Sequence, residues 1–190
     1  MKVFDSGMPE AAYWNSLFDI PAIMDWLDVE SVADPIVEIG CGYGTFTVPA
    51  ARRTTQTVHA IDIEPAMIET ASSNARNAGV RNVVFHCRDI VDTGTGLPSG
   101  SIGLVLLFNI LHSPERAQIL AETARILKSS NRIAIIHWRK DIPTPRGPSV
   151  DSRPDLATII DSIAGLDLQV LGDRILEPYH WGIQLRRGGH

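Results

Sequence analysis

Short apolar, β-branched runs alternate along this chain with helix-length stretches of mixed character. Runs at 35–39, 57–61, 83–86, 102–108 and 132–138 read as strands. The intervening segments 45–53, 65–77 and 114–127 read as helices, and two shorter helices, 9–18 and 21–29, precede the first strand with Pro21 between them. Pro65 and Pro114 each suit a first helical turn, where a missing N–H costs nothing. Ala78-Gly79 suits a helix stop. Strand–helix alternation of this kind predicts a parallel α/β sheet. After Trp138 the texture changes: Pro143, Pro145, Gly147, Pro148 and Pro154 mark 139–154 as a long ordered loop or lid. A helix at 154–164 follows. Strands at 166–171 and 179–185 come next, joined by a link (172–178) too short for a helical crossover, so these two run antiparallel. The expectation is seven strands, five of them parallel, with an antiparallel return.

Composition narrows the setting. At 190 residues the chain reads as a single domain, 1–190, with residues 1–30 as a helical lid. Hydrophobic residues make up 44% and charged residues 21%, which suits an ordinary globular core. A net charge of -5 attracts no polyanion, so no nucleic acid is expected as partner. The segment 1–10 holds no signal-type apolar core, no run reaches membrane-spanning length, and the tail 187–190 reads as a frayed end. Only Cys41 and Cys87 are present, without close-spaced partners, which fits a reducing cytoplasm and predicts neither disulfide nor metal.

The chemistry concentrates at Val37-Glu38-Ile39-Gly40-Cys41-Gly42-Tyr43-Gly44-Thr45, a strand that turns through alternate glycines into a helix. Such a turn lets a ligand approach bare backbone. In an open α/β sheet ligands sit beyond the carboxyl ends of the strands, near the point where strand order reverses. The second strand ends at Asp62, about twenty residues past the glycines, where an acid can hold a ribose diol. The third ends in Cys87-Arg88-Asp89-Ile90, the fourth in Phe108-Asn109-Ile110-Leu111-His112, the fifth in His137-Trp138. A dinucleotide fingerprint wants Gly-x-Gly-x-x-Gly, but Thr45 stands at its third position. Glu38 would repel a diphosphate and suits a cationic ammonium group.

The pattern Glu-x-Gly-x-Gly-x-Gly, with acids after the second and third strands, resembles the class I S-adenosylmethionine-dependent methyltransferases. Phe108-Asn109-Ile110-Leu111-His112 and Arg125-Ile126-Leu127-Lys128 are similar to segments of its small-molecule and quinone methyltransferase branch. The resemblance implies a Rossmann-like three-layer sandwich with strand order 3-2-1-4-5-7-6, and methyl transfer to a small-molecule acceptor. It implies that Gly40, Gly42 and Gly44 seat the methionine part of S-adenosylmethionine and that Glu38 meets its ammonium group. Asp62 would hold the ribose, Ile63 and Met67 flank the adenine, Asp89 with Ile90 meet its amine, and Asn109 line the methionine pocket. Gly103 and Ser129-Ser130-Asn131 depart from the usual Asp and Gly-Gly of that family.

His112 is the candidate general base, since it follows the fourth strand and titrates near neutrality; His137 is its competitor. Trp138 is either an acceptor wall or packing. Tyr13, Trp14 and Phe18 are either a lid stripe or helix packing. Arg139, Lys140, Arg146 and Arg153 are either a patch that meets an anionic acceptor or, the favoured reading, a solvated face balanced by Asp141, Asp151 and Asp155. Three other functions stay open: a methyltransferase acting on protein or RNA, an NAD(P)-dependent oxidoreductase, and a non-catalytic cofactor-binding partner subunit.

Overall fold

The computed structural model describes residues 9–188. Most of the 1–10 segment and the end of the 187–190 tail, both read above, therefore lie outside the described residues. A seven-stranded sheet forms the middle layer, in the order β3-β2-β1-β4-β5-β7-β6. The strands are β1 (Ile36–Ile39), β2 (Val58–Asp62), β3 (Val83–Cys87), β4 (Ile102–Phe108), β5 (Leu127–Trp138), β6 (Leu168–Leu176) and β7 (His180–Arg187). β1 to β5 pair in parallel, while β7 runs antiparallel to both β5 and β6. Strand order reverses between β1 and β4, so the carboxyl ends of these two strands part around a crevice.

The period-2 alternation of β4 divides the core. Leu104, Leu106 and Phe108 join one cluster with Leu17, Phe18, Ile23, Met24 and Leu27, from α2 (Ile20–Leu27) and the link before it. Phe46, Ala50 and Ala51, at and in α3 (Thr47–Arg52), complete that layer. Val105 and Leu107 face the opposite cluster with Ile119, Leu120 and Ile126 of α6 (Arg116–Ile126) and Ile159 of α7 (Leu156–Ser162). α4 (Pro65–Asn77) lays Ala71 against Ala60 at the β2–β3 edge. Truncating one of the fully buried leucines of β4 to alanine costs roughly 2–5 kcal/mol.

Several boundaries differ from the sequence pattern, each for a local reason. α3 begins at Thr47, because the three glycines of the preceding turn hold positive φ of 77, 50 and 77° and cannot continue a helix. α1 (Ala11–Asn15) spans five residues and buries none of them. α6 starts two residues after Pro114, once the Ser113 hydroxyl has accepted the Glu115 N–H. The link at 172–178 is mostly strand: β6 reaches Leu176, and a register shift between Val170 and Gly172 absorbs the extra residue. A one-turn helix, α5 (Ile90–Thr93), follows β3 because Asp89 caps it. Gly103 is glycine because a Cβ there would lie 2.8 Å from Asp34 Cβ and 2.9 Å from Val32 Cγ1.

Candidate functional site

A cavity of about 320 Å³ opens at the strand ends where β1 and β4 diverge. Its floor is the glycine turn. The N–H groups of Gly40 and Cys41 both donate to the Ile61 carbonyl oxygen, at 2.8 and 3.0 Å. The turn is thereby pinned to the end of β2. Gly40 combines φ +77° with a Cβ direction that would end 2.6 Å from Ile110 Cγ2, so any side chain there strains the backbone and displaces Ile110. Gly44 does not line the cavity: its Cα faces Ala71 of α4, where a Cβ would sit 3.3 Å from Ala71 Cβ. It serves helix packing, not the cavity wall.

Two carboxyl groups flank the turn. Glu38 is 1% exposed and accepts from the Thr47 hydroxyl. Burial, aided by the nearby Asp62 charge and opposed by that hydrogen bond, pushes its pKa up to about 8. Asp62 is braced twice: Oδ2 accepts the Gly42 N–H at 2.8 Å and Oδ1 accepts the Glu64 N–H at 3.0 Å. Burial raises its pKa too, against the pull of those two bonds. The Cys41 thiol between them is driven upward by burial and by both carboxylates, which leaves it inert.

Farther along, Ile63, Met67, Ile90 and Val91 form an apolar slot. Asp89 closes its edge and accepts the N–H groups of Val91 and Asp92 at 3.0 and 3.3 Å. Arg88 also enters the wall and donates to the carbonyl oxygens of Thr93 and Gly94.

At the opposite end β4 runs into Asn109, held at φ +58°. Its N–H donates to Ile136 O at 2.8 Å, tying the end of β4 to β5. Asn109 lines the cavity, and neither the oxygen nor the nitrogen of its buried side-chain amide has a hydrogen-bond partner among the described residues. His112 lines the same wall. Burial lowers its pKa, the Asn109 carbonyl opposes this, and Arg116 adds to it. His137 lies behind it, fully buried, with ring centroids 5.7 Å apart, and is held neutral chiefly by burial.

The remaining expectations divide. Among the described residues Trp14 lines the cavity, whereas Phe18 packs in the core and Tyr13 is exposed. Trp138 is packing, not wall: it is buried against Trp14, Phe18, Tyr179 and His180. No residue of 139–154 lines the cavity. Arg153 is not solvated. It is buried and donates to the carbonyl oxygens of Pro148, Arg139 and Arg146, which stitches that loop over Trp138. Sequence reasoning missed Phe46, Ile110, Glu64 and Glu115 as wall residues. Phe46 and Glu64 each follow a singled-out residue and Ile110 lies within the segment 108–112, whereas Glu115 carried no signal.

The comparisons agree with this architecture. A family described as a methyltransferase domain matches residues 36–130, half of the chain. Aklanonic acid methyltransferase DauC of Streptomyces sp. (strain C5) is 37% identical over 103 residues, 52% of this chain and 46% of that protein. A 23S rRNA (uracil(1939)-C(5))-methyltransferase, RlmD of Alcanivorax borkumensis, is 34% identical over 77 residues, 40% of this chain and 17% of that protein. The chain thus spans less than half the length of the curated relatives it matches. The same fold is seen in a SAM dependent methyltransferase from Aquifex aeolicus (TM-score 0.80, 18% identity, 93% of each chain). It is seen again in geranyl diphosphate C-methyltransferase from Streptomyces coelicolor A3(2) (TM-score 0.72, 17% identity, 95% of this chain and 84% of that one). The chain belongs to the methyltransferase-domain family.

Proposed function

We propose that this chain is an S-adenosylmethionine-dependent methyltransferase acting on a small-molecule acceptor, folded as one domain and working in the cytoplasm. One observation carries the reading. A single cavity places a buried carboxyl, Glu38, beside a bare glycine turn at one end, and Asp62, Asp89 and an apolar slot at the other. The donor set fits the cofactor: Glu38 for the ammonium group, the turn at Gly40 and Gly42 for close backbone approach, Asp62 for the ribose hydroxyls. Ile63, Met67 and Ile90 suit the adenine faces, Asp89 its amine. A carboxylate carries about four lone-pair sites, and Asp62 accepts one N–H from Gly42 of the turn and one from Glu64, which leaves acceptor capacity for a diol. The orphaned amide of Asn109 gains a partner when the methionine end is filled.

When bound, the cofactor supplies a methyl group on a sulfonium, so the protein's task is chiefly to position the acceptor and exclude water. Trp14, Phe46 and Phe108 supply apolar wall on that side. His112 takes the acceptor's proton, and burial, by keeping it neutral near pH 7, holds it in the accepting form. The cavity wall carries Glu38, Asp62, Glu64, Asp89 and Glu115 against Arg88. This excess of acids favours a neutral or cationic acceptor over nucleic acid. No described helix is long and apolar enough to cross a membrane.

Calorimetry with S-adenosylmethionine, S-adenosylhomocysteine and NAD tests the reading. Saturable one-to-one binding of the first two and none of the third is expected. Binding of NAD alone would turn the reading to an oxidoreductase, and binding of none would remove it.

A further inference from the structure

Among the described residues no cation reaches Glu38. Among the described residues Thr47 serves its side chain, through the hydroxyl and the backbone N–H, and that residue is itself fully buried at the start of α3. The titratable group that acts on it is Asp62 from β2, and Glu38 in turn acts on Cys41 of the turn. β4 presents Leu106 at its paired position. A carboxylate in this place would be a buried anion beside a second carboxylate, uncompensated and therefore costly. Among the described residues only the two Thr47 donors lower that cost.

We infer that Glu38 is a neutral acid in the free protein, exchanging its proton for the ammonium group of the cofactor, and that Thr47 is the positioning residue that holds it for the exchange. The inference rests on the cofactor assignment above. The balance is simple. The carboxyl O–H bond breaks, its proton leaves to solvent, and the carboxylate left behind is neutralised by the ligand's cation. Thr47 holds the carboxyl group through its hydroxyl and its backbone N–H, which fixes the orientation in which it meets the ligand. The elevated pKa of Glu38 agrees with this state. The consequence is specificity. A nucleoside thioether without the ammonium group cannot discharge Glu38, so the site tells the two apart by proton release as well as by contact.

The experiment titrates S-adenosylhomocysteine and methylthioadenosine, which lacks the amino-acid arm, into the parent protein at pH 6 and pH 8, in phosphate and in a buffer of high ionisation enthalpy. For S-adenosylhomocysteine the affinity rises about fiftyfold from pH 6 to pH 8, since one proton leaves per ligand below the pKa of Glu38. The apparent enthalpy at pH 7 changes with the buffer. Methylthioadenosine shows neither effect, and Glu38→Gln abolishes both for S-adenosylhomocysteine while methylthioadenosine still binds. Thr47→Val weakens S-adenosylhomocysteine about tenfold at pH 8, leaves methylthioadenosine unchanged, and is rescued by Thr47→Ser. Binding of S-adenosylhomocysteine that is independent of pH and buffer overturns the proton exchange and leaves the cofactor assignment standing. Equal weakening of both ligands by Thr47→Val reduces Thr47 to a structural role. Absence of any binding removes the cofactor assignment and this inference with it.

Discussion

Asp62→Ala separates two roles that the structure loads onto one carboxylate. Within the protein, Asp62 receives the N–H groups of Gly42 and Glu64 at 2.8 and 3.0 Å. Removing it leaves the Gly42 N–H without this acceptor in a half-buried turn, at a cost of about 1–3 kcal/mol to folding. In the complex, the same carboxylate would receive two ribose hydroxyls. Loss of a hydrogen bond to a charged group costs roughly 1.5–3 kcal/mol, which is about 10–150-fold in dissociation constant. Urea unfolding of the free protein reads the first quantity, and calorimetry with S-adenosylhomocysteine at 25 °C reads the second. Asp62→Asn is the informative companion. Its amide oxygen can retain the Gly42 N–H, so stability recovers in large part. One acceptor cannot serve a diol as well, so affinity stays low. If Asp62→Ala loses stability but changes affinity by less than about 0.5 kcal/mol, the carboxylate braces the turn and nothing more. The ribose assignment is then wrong.

Gly40→Ala places a Cβ 2.6 Å from Ile110 Cγ2 at a left-handed φ, so we expect a loss of about 2–4 kcal/mol in urea unfolding and weakened cofactor binding; a variant as stable as the parent would show that the turn yields. His180 is sandwiched between Phe18 and Trp138 at 4.3 and 4.2 Å, without a hydrogen-bond partner among the described residues, and burial lowers its pKa to about 3. A histidine whose folded pKa lies below its unfolded value gives stability that is complete above pH 6.5 and drains as pH falls toward 3. From pH 7 to pH 5 this amounts to about 2 kcal/mol. His180→Phe is therefore expected to flatten that part of the stability profile, and an unchanged slope would refute the assignment. Arg153→Met leaves three carbonyl oxygens of the 139–154 loop without their donor, so faster proteolysis of that loop is expected with cofactor affinity unchanged; a drop in affinity would make the loop part of the site.

The order of elements, the parallel sheet and its antiparallel return were all legible in the chain, because strand and helix periodicities and Gly/Pro punctuation are local properties. The acids at successive strand ends were legible for the same reason: in a parallel sheet, position along the strand fixes which end a residue occupies. Glu38, Asp62, Asp89 and Asn109 could therefore be picked out before any fold was known. Packing could not. Gly44 reads like its two companions, yet it faces Ala71, and only the approach of α4 decides that. Arg153 reads as one more surface cation, and only the folded loop surrounds it with carbonyl oxygens. Trp138 could have walled the cavity; the side of the sheet on which Trp14, Phe18 and His180 meet settles it as core. The protonation of Glu38 depends on what lies within a few ångströms in three dimensions, which spacing along a chain does not encode. What the sequence determined was which chemical groups stand at the strand ends; what tertiary structure decided was their neighbours, and through them their charge, their orientation and their access to a ligand.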